Sequence, residues 1–143
     1  MDTVAFITTE SGDDLIVSFA VQDLGEPSGI ESLTLLRTPK YEFIVAEDER
    51  GVGVSFERHT DEKDDYLKAV EYLEAQSIVR IRTLSHEYEL DVRKVDANEL
   101  KKMRQVLREM NYDRRFQTSG VYLGTFDVLT MRPSWSSLGF GTI

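Results

Sequence analysis

Residues 96–110 read DANELKKMRQVLREM. Leu100, Met103, Leu107 and Met110 recur at helical spacing and form one apolar stripe, broadened by Val106. Lys101, Lys102, Arg104 and Arg108 fall off that stripe. Asp96 is a natural N-cap, and Glu99 three residues later completes a capping-box pattern. Lys and Arg toward the C-terminal half suit the negative end of the helix dipole. The spacing predicts an amphipathic helix over 97–110. Everything before it reads mostly as strands, so the stripe has a sheet face to bury against. The expected class is therefore α+β: a mainly antiparallel β-sheet with one helix, in the C-terminal half, packed on a sheet face.

The strands are read from period-two alternation. Val4, Phe6 and Thr8 alternate with Thr3, Ala5 and Ile7, and Ser11-Gly12-Asp13-Asp14 is a turn signal. Leu15, Val17, Phe19 and Val21 then share one face, which predicts a hairpin. Residues 23–29 (DLGEPSG) form a loop by their Gly and Pro content. Further strands are predicted over 30–37, over 41–46 with Tyr41, Phe43 and Val45 on one face, and around Val52, Val54 and Phe56. Gly51, Gly53 and Ser55 leave the other face of that last strand nearly bare, which suits a bulge or a close neighbour in preference to a ligand, since nothing nearby converges as a binding group. Residues 78–84 and 88–93 read as another hairpin, with Arg80 and Arg82 on one arm facing Glu89 and Asp91 on the other.

Residues 60–76 read two ways. Tyr66, Leu67, Val70 and Leu73 follow helical spacing behind Thr60 as a cap, and periodicity favours that helix. The same residues, running on through Ile78-Val79-Arg80-Ile81-Arg82, also read as strand, turn, strand. Residues 111–120 are predicted as a loop and 121–131 as a last strand. Residues 132–143 (RPSWSSLGFGTI) carry the only Trp and no charge after Arg132. A tail holding Trp135, Leu138, Phe140 and Ile143 is predicted to dock on its own domain. Trp135 and Phe140 are also possible anchors for a partner or a second copy of the chain.

The chain has 143 residues, 17 basic against 26 acidic, two His and no Cys, with a formal charge of −9. That length predicts a single domain. At 41% apolar and 30% charged residues, with mean hydropathy −0.33, the composition is that of a globular chain. Net acidity argues against nucleic acid or an anionic membrane as partner, because both select clustered Lys and Arg. The absence of Cys excludes a disulfide framework, a thiolate metal site and a cysteine nucleophile. No apolar run reaches a membrane span of roughly 20 residues. The Met1-Asp2-Thr3-Val4 start lacks the basic region of a signal peptide, so a cytoplasmic location is expected. The charge is uneven. Residues 1–76 hold 18 acids and 6 bases, a net of −12, while residues 77–143 hold 8 acids and 11 bases, a net of +3. Such asymmetry marks an interaction surface unless folding interleaves the halves.

No catalytic constellation is legible. The only histidines are His59, in a charged loop, and His86, in a turn. Nucleophile-elbow, zinc-protease, phosphate-loop and dinucleotide patterns are all missing. The run Asp61-Glu62-Lys63-Asp64-Asp65 lacks the alternating ligands and central glycine of a calcium loop, and it reads as a solvated charge run. The sequence therefore predicts no enzyme, no metal and no cofactor.

The order of blocks resembles a known family. Asp13-Asp14-Leu15-Ile16-Val17-Ser18-Phe19-Ala20 leads to Leu33-Thr34-Leu35-Leu36-Arg37. Then come Ala69-Val70-Glu71-Tyr72-Leu73-Glu74, Ser77-Ile78-Val79-Arg80-Ile81 and Tyr88-Glu89-Leu90-Asp91-Val92, before the helix from Glu99 to Met110. This is similar to the tenth of the numbered families of small bacterial immunity proteins found beside polymorphic toxin genes, over about residues 2–111. The resemblance implies a cytoplasmic antidote that binds and blocks a toxin domain. It also implies a hairpin over 68–83, and it carries no binding residues with it. An acidic face would suit a basic toxin cleft. The partner-binding patch expected on charge grounds runs from Glu47 to Asp65 and comprises Glu47, Asp48, Glu49, Asp61, Glu62, Asp64 and Asp65. The alternative is a small-ligand or scaffold domain with a pocket between sheet and helix.

Overall fold

A computed structural model describes residues 1–23, 29–59 and 64–122 of the chain. Its first element pair is the predicted hairpin, β1 (Asp2–Ser11) and β2 (Leu15–Gln22), paired from Ser11↔Leu15 up to Val4↔Val21. A register shift between Val4 and Phe6 departs from the simple alternation. One extra residue flips the parity of the strand. Val4 and Ile7 can then both be buried while Phe6 turns outward. β3 (Ile30–Arg37) adds antiparallel to β2, and β4 (Gly53–Phe56) antiparallel to β3.

The helical reading of residues 60–76 is overturned. From Asp65 onward the chain is β5 (Asp65–Leu73), then a short 3-10 turn over Glu74–Gln76, then β6 (Ile78–Thr83). Ser77 closes the turn in the left-handed region at φ 57°. The physical reason is burial on both faces. Ala69, Val70, Glu71 and Tyr72 are all buried, so the apolar positions run together and mimic helical spacing. Residues 60–63 lie outside the described residues. β7 (Glu87–Asp91) completes the predicted second hairpin with β6.

Two other expectations are corrected. Residues 41–46 are not a strand: Pro39–Ile44 form a 3-10 helix that buries none of its residues. Residues 111–120 are not all loop: β8 (Gln117–Ser119) runs parallel to β5. The tail, with Trp135 and Phe140, and all but two residues of the predicted last strand, lie outside the described residues.

The strands order as β4-β3-β2-β1-β7-β6-β5-β8, and β4 also pairs with β5. β1 to β7 therefore close into a ring, with β8 added beside β5. Among the described residues six pairings are antiparallel and two, β1–β7 and β5–β8, are parallel. The sheet is thus mixed rather than simply antiparallel. The α+β class stands. Two corners of the ring are narrow. β1 meets β7 only at Asp2↔Leu90 and Thr3↔Asp91, and β4 meets β5 only at Gly53↔Tyr66 and Val54↔Asp65.

The helix α1 (Ala97–Met110) packs against β1 and β2, where β1 has left β7. Its predicted stripe residues Met103, Val106, Leu107 and Met110 are buried and join one continuous core with Ile7, Phe19 and Leu35. Asp96 caps the helix through the Asn98 N–H. Glu99 does not complete a capping box. Its Oε1 reaches across to accept the Ile7 N–H at 2.9 Å. The carboxylate takes the place of the strand partner that β1 lacks there. Among the described residues no helix is long and apolar enough to cross a membrane.

Candidate functional site

Arg37, the last residue of β3, is 1% exposed. A charge survives such burial only when its donors are satisfied. All five N–H groups of this guanidinium are used. Nε and Nη2 donate to Glu42 at 2.7 and 2.9 Å. Nη1 and Nη2 donate to the two Asp113 oxygens at 2.8 Å each, and Nη1 also reaches the Met110 carbonyl at 2.7 Å. The Tyr112 ring lies 4.3 Å from the guanidinium carbon, and its hydroxyl donates to Glu42. The Arg37 hydrogen bond holds the Asp113 pKa at about 2, against burial that would raise it. The same guanidinium holds the Glu42 carboxyl below the ordinary range.

This network fixes an otherwise exposed loop. The 3-10 helix Pro39–Ile44 is tied inward by Glu42 and, at the surface, by Lys40, which donates to Asp13 at 3.2 Å, while Thr38 at its start donates to Asp14 at 2.7 Å. Arg50 donates to the Val45 carbonyl, and Arg115 donates to the Arg50 carbonyl and to Asp113. Held this way, the loop projects apolar groups into solvent: Phe43 is 77% exposed, Ile44 67% and Tyr41 54%. Beside them a second 3-10 turn, Glu47–Glu49, carries three exposed acids. An exposed cluster of large apolar side chains rimmed by charge is the usual form of a protein-binding surface.

The sequence-predicted acids divide between two places. Glu47, Asp48 and Glu49 sit on this loop, where Glu47 also approaches Arg115 at 3.9 Å. Asp65 pairs with Val54 of β4, and Asp64 precedes it in the chain. Asp64 is exposed, whereas Asp65 is buried and accepts hydrogen bonds from Thr83 Oγ1, Ser85 N and Tyr66 N. Asp65 therefore serves the fold. Asp61 and Glu62 lie outside the described residues. Arg80 meets Glu89 at 3.0 Å across the hairpin, as predicted, and Asp91 instead holds Arg93. Reading the sequence missed Arg37, Glu42, Phe43 and Ile44 as a unit. The one local signal was Pro39, which favours a helical first turn over a strand.

A second feature lies where β4 and β5 meet. The two histidines, 27 positions apart and unrelated in the sequence, stack with ring centroids 4.3 Å apart and planes 3° from parallel. Phe56 and Tyr88 meet edge-on at 5.5 Å beside them. These four rings line a cleft of about 440 Å³ together with Glu57 and Asp64. Among the described residues no group of three or more His, Asp or Glu is placed to hold a metal ion.

No protein-family model matches the chain, and searches of curated proteins and of solved structures found no significant match.

Proposed function

We propose that this chain is a non-catalytic binding protein that occupies and blocks a cognate toxin domain, working in the cytoplasm. The observation that carries the reading is the 39–49 loop. Phe43, Ile44 and Tyr41 stand exposed on a segment ordered by a buried arginine network. A preordered surface loses little entropy on docking, so more of its burial energy appears as affinity. Full burial of each of these side chains contributes about 1.5–3 kcal/mol. Glu47, Asp48 and Glu49 add a negative rim that steers a basic partner into register. The partner that fits is a toxin domain with a basic cleft around an apolar depression, such as a nuclease groove.

The test is co-expression with the product of the adjacent gene, scored by co-purification and by rescue from toxicity. The intact chain binds and rescues. Phe43→Ala with Ile44→Ala weakens binding at least tenfold while the fold is kept. Absence of both binding and rescue overturns the toxin reading. Binding that ignores the double variant moves the interface away from this loop. Self-association through the tail is checked separately: deleting residues 133–143 changes the mass in solution if the tail joins two copies.

A further inference from the structure

We infer that the cleft at the β4–β5 corner binds a small organic cation bearing an alkylammonium or guanidinium group. The proposal is independent of the toxin reading and rests on a different part of the molecule. Three features converge. The first is size: about 440 Å³ lies in the range of small-molecule sites. The second is the wall. Phe56, His59, His86 and Tyr88 gather within 6.3 Å of one another, centroid to centroid, in the pairs that touch. The faces of Phe56 and Tyr88 attract cations, most strongly where water is displaced, while His59 and His86 stack on each other beside them. Phe56 already carries one internal example, with the Arg58 guanidinium 4.7 Å from its centroid.

The third feature is charge. Among the described residues the lining includes Glu57, Asp64 and Asp65 and no Lys or Arg. Glu57 is engaged by the Ser32 N–H, and Asp65 by Thr83 and Ser85, so both supply field rather than a ready ligand bond. Asp64 is exposed and makes no hydrogen bond or ion pair with the described residues, which leaves its carboxylate as the direct partner. The hydroxyls of Ser32 and Ser55, also in the lining, offer neutral acceptors. An anion would meet three carboxylates and is disfavoured. The basic side chains Lys68 and Arg82 line a separate depression, which shares His86 with the cleft.

The histidines make the test direct, because the chain has only these two. Their ring carbon–hydrogen signals report the cleft without mutation. Titration of the full chain with agmatine, at fixed pH and ionic strength, shifts both sets of imidazole signals along a saturating curve. Sodium chloride at the same ionic strength leaves them in place. Asp64→Asn removes a charge from an exposed position and keeps the urea midpoint, but weakens agmatine binding at least fivefold. Acetyl-arginine-amide separates the sources of the cation: equal affinity points to an arginine side chain of a partner, and much weaker binding points to a free amine. The proposal is overturned if the imidazole signals do not saturate by about 10 mM agmatine, the weak limit of a specific small-molecule site. It is overturned equally if Asp64→Asn binds as well as the parent.

Discussion

The Arg37 guanidinium and the Asp113 carboxylate, 76 residues apart in the chain, form a two-pronged pair at 2.8 Å that joins the end of β3 to the segment leaving α1. Glu42 grips the same guanidinium from the other side, so one buried cation organises three segments. Breaking a buried pair by removing one partner strands the other charges. Arg37→Met leaves Glu42 and Asp113 facing each other. Both keep some solvent, so the loss falls at the low end of the usual range, about 3 kcal/mol in urea unfolding. Arg37→Lys recovers little, since an ammonium cannot make two forked pairs. Amide exchange over 40–45 should accelerate in both variants. Unchanged protection there would mean that Arg37 does not order the loop.

The same pair sets an acid limit. Asp113 titrates at about 2 in the folded chain, below an ordinary aspartate, because Arg37 and Arg115 donate to its ionised form. Glu42 is shifted in the same direction. The unfolded chain therefore takes up these protons first as pH falls. Stability from the network is fully present above the unfolded carboxylate range and is lost between about pH 4 and pH 2. Asp113→Asn lowers stability at neutral pH and flattens that decline. Urea midpoints across the range check this, and an equally steep decline in the variant would assign the acid sensitivity elsewhere.

Elements whose local pattern agrees with their packing were legible from residues alone. The β1–β2 hairpin is one and α1 is another, since each buries one face and exposes the other. Where packing overrode pattern, reading failed. β5 is buried on both faces over 69–72, so it lost its period of two. Tyr41, Phe43 and Val45 alternate like a strand, yet among the described residues no strand pairs with them and Arg37 claims Glu42 instead. The stacked histidines were invisible for a related reason. Phe56 and Tyr88 set their spacing across strands, and no sequence interval encodes it.

Asp64 and Asp65 are neighbours with opposite duties. Asp65 accepts the Thr83 hydroxyl at 2.5 Å and the Ser85 N–H at 3.1 Å, pinning the β6–β7 turn to the start of β5. Asp65→Ala leaves buried donors unsatisfied and should cost about 2–3 kcal/mol. Asp64→Asn, at an exposed site, stays within about 0.5 kcal/mol of the parent. Paired urea titrations separate the two. Equal losses would show that Asp65 is not the structural member.

Glu99 offers the sharpest test of how the ring is closed. β1 pairs with β7 through only two residues, and beyond that point its free edge faces α1. An unpaired strand N–H under a helix is costly unless something accepts from it. Glu99 does so at Ile7, from a position that the sequence pattern assigned to its own helix cap. Glu99→Ala deletes the acceptor while the Asp96 cap stays, and it should cost about 1–3 kcal/mol, mostly from the stranded Ile7 N–H. Glu99→Gln keeps a carbonyl acceptor and should recover about half of that. The distinguishing readout is amide exchange. Ile7 loses protection in the alanine variant, while helix amides 100–106 keep theirs. If exchange instead rises first along α1, Glu99 acts as a capping residue and the β1 edge is satisfied by other means.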